Sequence, residues 1–102
     1  MTEEQINELL PLVKKRLRIT FSQIDDELKE FIQEGAAYLM EKAGPIDFSP
    51  SSSMLSSIKA KGLLKEYCQY AWNGTVAFFG VDYQSELLAL QILVAQEAFS
   101  RG

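Results

Sequence analysis

The sequence predicts a small all-α protein, a bundle of about four helices. Apolar residues recur at the three- and four-residue spacing of a helix along most of the chain. The segments with this spacing are separated at Gly44-Pro45 and at Asn73-Gly74, two pairs that end helices. The length of 102 residues leaves room for one domain, so we expect residues 1–102 to form a single helical domain.

The composition favours a protein that binds other proteins. Apolar residues make up 47% of the chain, which is more than a lone domain of this size needs for its core. The net charge of −4 argues against a general attraction to nucleic acid or to an anionic membrane. The apolar surplus therefore predicts a surface that is covered by a partner.

Several function classes are excluded or disfavoured by missing residue types. The chain has one cysteine, Cys68, and no histidine, which excludes an internal disulfide and a Cys/His metal site. No Gly-rich phosphate loop and no motif for paired carboxylates is present, so we expect neither an enzyme nor a cofactor. The longest apolar run, Leu87–Ala95, is too short to span a bilayer, and the acidic N-terminus does not resemble a signal peptide.

The first helix is predicted from a capping box, Thr2 followed by Gln5, in which each residue satisfies a free backbone N–H of the other. Pro11 interrupts the apolar stripe that follows, and an interior proline costs roughly 3 kcal/mol. We therefore expect a kink, or a short first piece and a second helix beginning at Pro11. The stripe consists of Ile6, Leu9, Leu10, Val13 and Leu17.

The second helix begins near Asp25, after a start signal at Ser22, and ends at Gly44-Pro45. Gly35 lies inside its apolar face, where the missing side chain would let a neighbouring helix approach closely. The other residues of that face are Ile24, Leu28, Phe31, Ile32 and Leu39.

A flexible loop is predicted around residues 45–57, where two prolines and a run of serines show no periodicity. Its candidate contacts with a partner are Phe48, Ser51 and Ser52. A serine then caps a third helix, roughly Met54 to Asn73, and residues 75–81 form either an extended link or a helical turn. The inward face of the third helix is predicted to contain Ala60, Leu63, Leu64, Tyr67, Cys68 and Ala71.

The last helix, about 82–100, has two apolar stripes where a surface helix of a small domain needs one. The first stripe is Tyr83, Leu87, Leu90, Val94 and Ala98, and the second is Leu88, Ile92, Ala95 and Phe99. We expect one stripe to pack on the protein itself and the other on a partner. The predicted partner-binding residues are Leu88, Ile92, Ala95, Phe99 and Arg101, within a segment, 82–102, that is mobile until it assembles.

Three other features have a functional and a structural interpretation. The basic segment Lys14–Arg18 could contact phosphates, but its side chains point in different directions around a helix. The aromatic residues between Tyr67 and Tyr83 are not interleaved with basic residues, which favours core packing over base stacking and leaves Trp72 as a candidate interface residue. Cys68 is interpreted as a small buried hydrophobe and not as a nucleophile.

The chain also resembles a known family. The segment Leu12–Thr20 (LVKKRLRIT), followed by Asp25–Leu28 and by Glu34–Leu39, resembles the opening of the head–tail connector proteins of tailed phages. Within them, the chain is similar to the head-completion adaptors of long-tailed phages of Gram-positive hosts. Residues 1–73 show the resemblance well and the rest loosely, whereas Pro11 and the serine-rich loop depart from the family pattern.

The resemblance implies a structural protein and not an enzyme. Such helical protomers form a ring, usually of twelve copies, under the portal protein, and they provide the docking surface for a stopper or tail-completion protein. Viral DNA passes through the channel without specific binding, and no membrane is involved. The expected location is the head–tail interface of the virion, after synthesis in the host cytoplasm. The alternative is a small helical nucleic-acid-binding regulator that uses Lys14–Arg18.

Overall fold

The computed structural model describes residues 1–101, and it describes side chains as far as Ser100. Its helices are α1 (Glu3–Leu17), α2 (Asp25–Ala43), α3 (Leu55–Trp72), the short α4 (Phe79–Asp82) and α5 (Gln84–Arg101). A 3-10 turn, Val76–Phe78, leads directly into α4. No strand occurs within residues 1–101. The all-α prediction is confirmed, and the four long helices match the predicted bundle.

Helix α2 lies at the centre of the bundle and packs against α1, α3 and α5. Its buried face includes Leu28, Ile32 and Leu39, as the helical spacing predicted, whereas Phe31 and Ile24 are half-buried. Gly35 allows the close approach of α3 that the sequence indicated. A Cβ atom at this position would lie 2.6 Å from Cδ1 of Leu64 and 2.7 Å from Cδ1 of Tyr67, so a larger residue would separate the two helices.

Helix α1 begins at the predicted capping box. The Oγ1 atom of Thr2 accepts from the backbone N–H of Gln5 at 3.1 Å, and Oε1 of Gln5 accepts from the N–H of Thr2 at 3.2 Å. The prediction of a second helix beginning at Pro11 is wrong, because α1 runs unbroken from Glu3 to Leu17. Burial of Leu9 and Val13 on either side of the exposed Pro11 outweighs the hydrogen bond that the proline removes.

Helix α3 begins without the predicted serine cap. Its N-cap residue is Met54, which makes no side-chain capping bond, and Ser56 and Ser57 are buried in the first turn. The hydroxyl of Ser57 donates to the backbone carbonyl of Asp47, so it joins the preceding loop to the helix. Of the two possibilities for residues 75–81, the structure has the helical turn.

The loop between α2 and α3 makes many contacts with the bundle. Phe48 is 2% exposed and belongs to the core. The Nζ atom of Lys61 donates to the carbonyls of Ser49, Pro50 and Ser52 at 2.8, 3.1 and 3.3 Å. Residues 55–57 belong to α3, so the loop is shorter than predicted, and its flexibility stays a prediction.

Candidate protein-binding surface

The inner face of α5 packs on the bundle. Leu87, Leu90 and Val94 are buried, with Leu90 fully inaccessible, and Tyr83 is half-buried. Ala98, the last residue of the same stripe, is exposed. The first apolar stripe of α5 therefore belongs to the core over about two helical turns, from Leu87 to Val94, as one of the two stripes was predicted to do.

The outer face of α5 is apolar and exposed. Leu88 is 57% exposed, Ile92 49% and Phe99 88%, and Ala95 is exposed beside them. Val81, 76% exposed, lies at the start of the same surface and borders the same groove as Leu88. We name this surface the outer strip: Val81, Leu88, Ile92, Ala95 and Phe99.

The sequence interpretation missed Val81, although a signal for it exists. Val81 precedes Leu88 by seven residues, and Leu88 precedes Ala95 by seven, the spacing of residues on one side of a helix. The break between α4 and α5 hides this relation when α5 alone is considered.

Both carboxylates of α5 face α3. The side chain of Glu97 accepts from the backbone N–H of Ser56 at 3.0 Å and from its hydroxyl group. Glu86 forms an ion pair with Lys59. From Gln84 to Ser100 the helix has no other ionisable side chain, so the charges of this part of α5 lie beside its inner face and none lies on its outer face.

A groove of about 490 Å³ lies at the N-terminal end of the outer strip, between α2, α4 and α5. Tyr38, Lys42, Gly80, Val81 and Leu88 line it, together with Gln91. The Lys42 ammonium lies 5.4 Å from the centre of the Tyr38 ring. Gly80 lets α4 lie close to Tyr38 of α2, because a Cβ atom at this position would lie 2.7 Å from the Tyr38 hydroxyl oxygen. The helical spacing of α2 alone did not predict this groove, because its walls come from three separate helices.

The remaining predicted contact residues lie in different places. The ring of Phe48 is buried in the core and is not on the surface, because it fills the space between the loop and the bundle. Ser51 is exposed, and Ser52 is half-buried. The side chain of Arg101 lies outside the described residues. The structure therefore brings together Leu88, Ile92, Ala95 and Phe99, and it separates them from Phe48.

The basic segment Lys14–Arg18 does not form a free cationic patch. Lys14 Nζ lies 2.8 Å from Oδ1 of Asp25, and Arg16 forms an ion pair with Glu66 on α3. Lys15 and Arg18 are exposed, and Arg18 closes α1 in a left-handed conformation with φ 61°. Two of the four cations are thus used to join helices, which weakens the interpretation as a nucleic-acid contact.

Aromatic residues from α2, α3 and α4, together with Tyr83 between α4 and α5, meet in one cluster around Phe79, which is fully buried. Its ring makes edge contacts with Tyr38, Tyr67 and Tyr70 and stacks on Tyr83, with centroids 4.9–5.8 Å apart. Hydrogen bonding to Asp82 raises the pKa of Tyr70 to about 12. Core packing is therefore confirmed for most of the aromatic residues, whereas Trp72 and Phe78 are exposed.

Cys68 is buried in the core, as predicted. Desolvation, and secondarily the charge of Glu34, raise the pKa of its thiol to about 12. Since the thiolate is the reactive form, this environment suits a packing residue and not a nucleophile.

Residues 1–101 include no cluster of three or more Cys, Asp or Glu side chains placed to hold a metal ion. Within the same residues, no helix has both the length and the apolar character needed to cross a membrane. A comparison with protein-family models, with curated proteins and with solved structures finds no match.

Proposed function

We propose that this chain is a non-enzymatic structural subunit that binds another protein through the outer strip of α5. The observation that carries the proposal is the exposure of three large apolar side chains on one face of a helix whose opposite face is already in the core. Burial of each such side chain is worth about 1.5–3 kcal/mol. Leu88 and Ile92 are already about half covered, so roughly half of that free energy for each of them, and most of it for Phe99, is left for association with a partner.

The assembly that we propose is the head–tail connector of a tailed phage, and this step rests on the sequence resemblance of Leu12–Thr20, Asp25–Leu28 and Glu34–Leu39. In that assembly the chain would form a ring under the portal protein, extend the DNA channel and dock a stopper or tail-completion protein. The outer strip would contact the portal or a neighbouring copy. The loop at Ser51 and Ser52 would face the next ring component.

Two features of the chain support the proposal that it is a subunit of a channel ring. A ring requires two different patches that meet head to tail, and the outer strip of α5 and the exposed Ser51 of the α2–α3 loop belong to different elements of the protomer. A channel that lets DNA pass should not hold it, which suits a net charge of −4 and a basic segment engaged in ion pairs.

The test is binding of charge variants to the purified portal protein of the same phage. The Leu88→Glu/Ile92→Glu chain should stay folded and lose binding by at least about a hundredfold, since two carboxylates would be desolvated in the interface. The matched control, Gln33→Glu/Ala37→Glu, adds two carboxylates at the same spacing to exposed positions of α2 and should bind normally.

Two results would contradict the proposal. Undiminished portal binding by Leu88→Glu/Ile92→Glu would remove the outer strip as the contact surface. Tight, salt-sensitive DNA binding that disappears when Lys15 and Arg18 are neutralised would instead support the nucleic-acid-binding alternative.

A further inference from the structure

The flanks of the outer strip are uncharged. Gln84 and Gln91 border it on one side, Ser85 and Gln96 border it on the other, and all four are exposed. Helices that pair through an apolar seam commonly select a different partner by charges at these flanking positions. Between Gln84 and Ser100, α5 has no charge at these positions, and Lys42 of α2 contributes a charge only in the groove at the N-terminal end of the strip.

A symmetric contact between two copies has a stricter requirement than a contact between different proteins. Each flank meets the same flank of the second copy, so a flank with charges of one sign would repel itself, whereas an uncharged flank has no such penalty. Amide side chains both donate and accept hydrogen bonds, which makes the glutamine flanks compatible with themselves. The outer strip is thus a neutral, self-compatible face on a chain whose net charge is −4.

The strip also has complementary ends. Phe99, the most exposed large apolar residue, projects at its C-terminal end. The groove lined by Tyr38, Lys42 and Leu88 lies at its N-terminal end. Leu88 and Phe99 are eleven residues apart, or about 16 Å along the helix, so an antiparallel copy centred between Ile92 and Ala95 would bring Phe99 to the level of Leu88.

We propose that two copies of the free chain pair antiparallel through α5, with Phe99 of each copy inserted into the groove of the other. This register sets the large Ile92 against the small Ala95 at the centre. It also places the two Lys42 side chains at opposite ends of the pair, where a parallel arrangement would bring them to the same level. The antiparallel order opposes the two helix dipoles favourably.

This inference uses the same surface as the proposed function but does not depend on the connector assignment. A pair formed through the outer strip would cover the surface that a portal or a neighbouring subunit needs. Assembly would then proceed by exchange of the second copy for the partner, and self-pairing would compete with partner binding by mass action.

Sedimentation equilibrium of the full chain over a range of concentrations tests the pairing. The mass should rise from 11.5 kDa towards twice that value. Phe99→Ala should raise the dissociation constant of the pair at least about tenfold. Phe78→Ala is the matched control, because Phe78 is 63% exposed but lies in the 3-10 turn, and it should pair normally. Unchanged urea unfolding midpoints at low concentration would show that both variants are folded.

The orientation is tested with spin labels on single introduced cysteines, since Cys68 is buried and unreactive. Labels at Gln84→Cys should be about 20 Å farther apart along the helix axis than labels at Gln96→Cys in an antiparallel pair. Equal separations would overturn the antiparallel register.

The other outcomes separate the two proposals. A wild-type chain that stays monomeric at high concentration, or a Phe99→Ala chain that pairs as tightly as wild type, overturns the pairing. A monomeric chain that binds portal through the outer strip overturns the pairing alone. A chain that pairs as proposed but fails to bind portal supports the pairing and contradicts the connector function alone.

Discussion

The two faces of α5 are similar in apolar composition but differ in what they contact. The inner face places Leu87, Leu90 and Val94 in the core, whereas the outer face leaves Leu88, Ile92 and Phe99 exposed. On most amphipathic helices the charged residues mark the solvent side. On α5 the relation is reversed, because Glu86 and Glu97 lie beside the inner face and bond to α3. Between Gln84 and Ser100, the outer face therefore lacks the charged residues that usually mark the solvent side of a helix.

The largest expected effect is the difference in thiol reactivity between the buried Cys68 of α3 and a cysteine introduced on the outer strip. At its pKa of about 12, against an ordinary value of 9.0, Cys68 has about a thousandfold less thiolate near neutral pH, and burial blocks access to it. A cysteine introduced by Ala95→Cys on the outer strip should therefore react with a thiol reagent at least about a thousandfold faster than Cys68. Stopped-flow measurement on Ala95→Cys and on Ala95→Cys/Cys68→Ser assigns the phases. Equal rates in the native protein would show that the core around Cys68 is open.

The second prediction compares one truncation on each face. Leu90→Ala should lower the free energy of unfolding by about 2–5 kcal/mol, because it leaves a cavity at a fully buried position. Ile92→Ala should change it by less than about 0.5 kcal/mol. Urea unfolding at low protein concentration measures both. Similar losses from the two variants would mean that the outer strip contributes to the fold of the monomer.

The third prediction tests the polar contacts between α5 and α3. Glu97→Ala should destabilise the fold by about 1–3 kcal/mol, because the buried Ser56 would lose the acceptor for its backbone N–H and its hydroxyl group. Glu86→Ala is the control on the same helix, and loss of its surface pair with Lys59 should cost less than about 1 kcal/mol. Thermal unfolding of both variants measures the two effects. A larger destabilisation by Glu86→Ala than by Glu97→Ala would show that the contact with Ser56 is not the stronger of the two.

The smallest effect concerns acid stability of the loop beside the C-terminal half of α5. Hydrogen bonds from Ser49 lower the pKa of Asp47 below 3.8, so the native state favours the carboxylate. The stabilisation is present above that ordinary value and is lost as the pH falls through the lowered pKa. Asp47→Asn should therefore lower the melting temperature slightly at pH 7, and the difference from wild type should shrink as the pH falls below 3.8. A difference that stays the same as the pH falls would assign the effect to something other than the charge.

Helical periodicity predicted most of the fold because each long helix has a buried stripe that repeats every three or four residues. It predicted the core positions Leu28, Ile32 and Leu63 and the close approach at Gly35. Long-range contacts could not be predicted in this way. Phe48 is buried although it lies in a loop without periodicity, and Ser56 bonds to Glu97, which is 41 residues away. The residue type at Pro11 was also a poor guide to the fold, because burial of Leu9 and Val13 keeps the helix continuous there.

The candidate surface was predictable in part. The two stripes of the last helix were visible in the sequence, but the sequence could not determine which stripe would be buried. That choice depends on how the helices pack, including contacts such as the one at Gly44, where a Cβ atom would lie 3.3 Å from Cγ1 of Val94. The groove at Tyr38 and Lys42 arises only when α2, α4 and α5 come together.

Helix α5 has one face in the core, and we propose that its other face lies outside the core and binds a protein partner. The position of the outer strip outside the core is tested by urea unfolding of Leu88→Glu/Ile92→Glu, monitored by circular dichroism at a concentration where the chain is monomeric. We predict a cooperative transition in which the free energy of unfolding depends on urea concentration as steeply as in the wild type. The free energy of unfolding should differ from the wild-type value by no more than about 0.5 kcal/mol for each substitution. Loss of the cooperative transition, or a decrease of several kcal/mol, would show that the outer strip belongs to the core and would contradict the account.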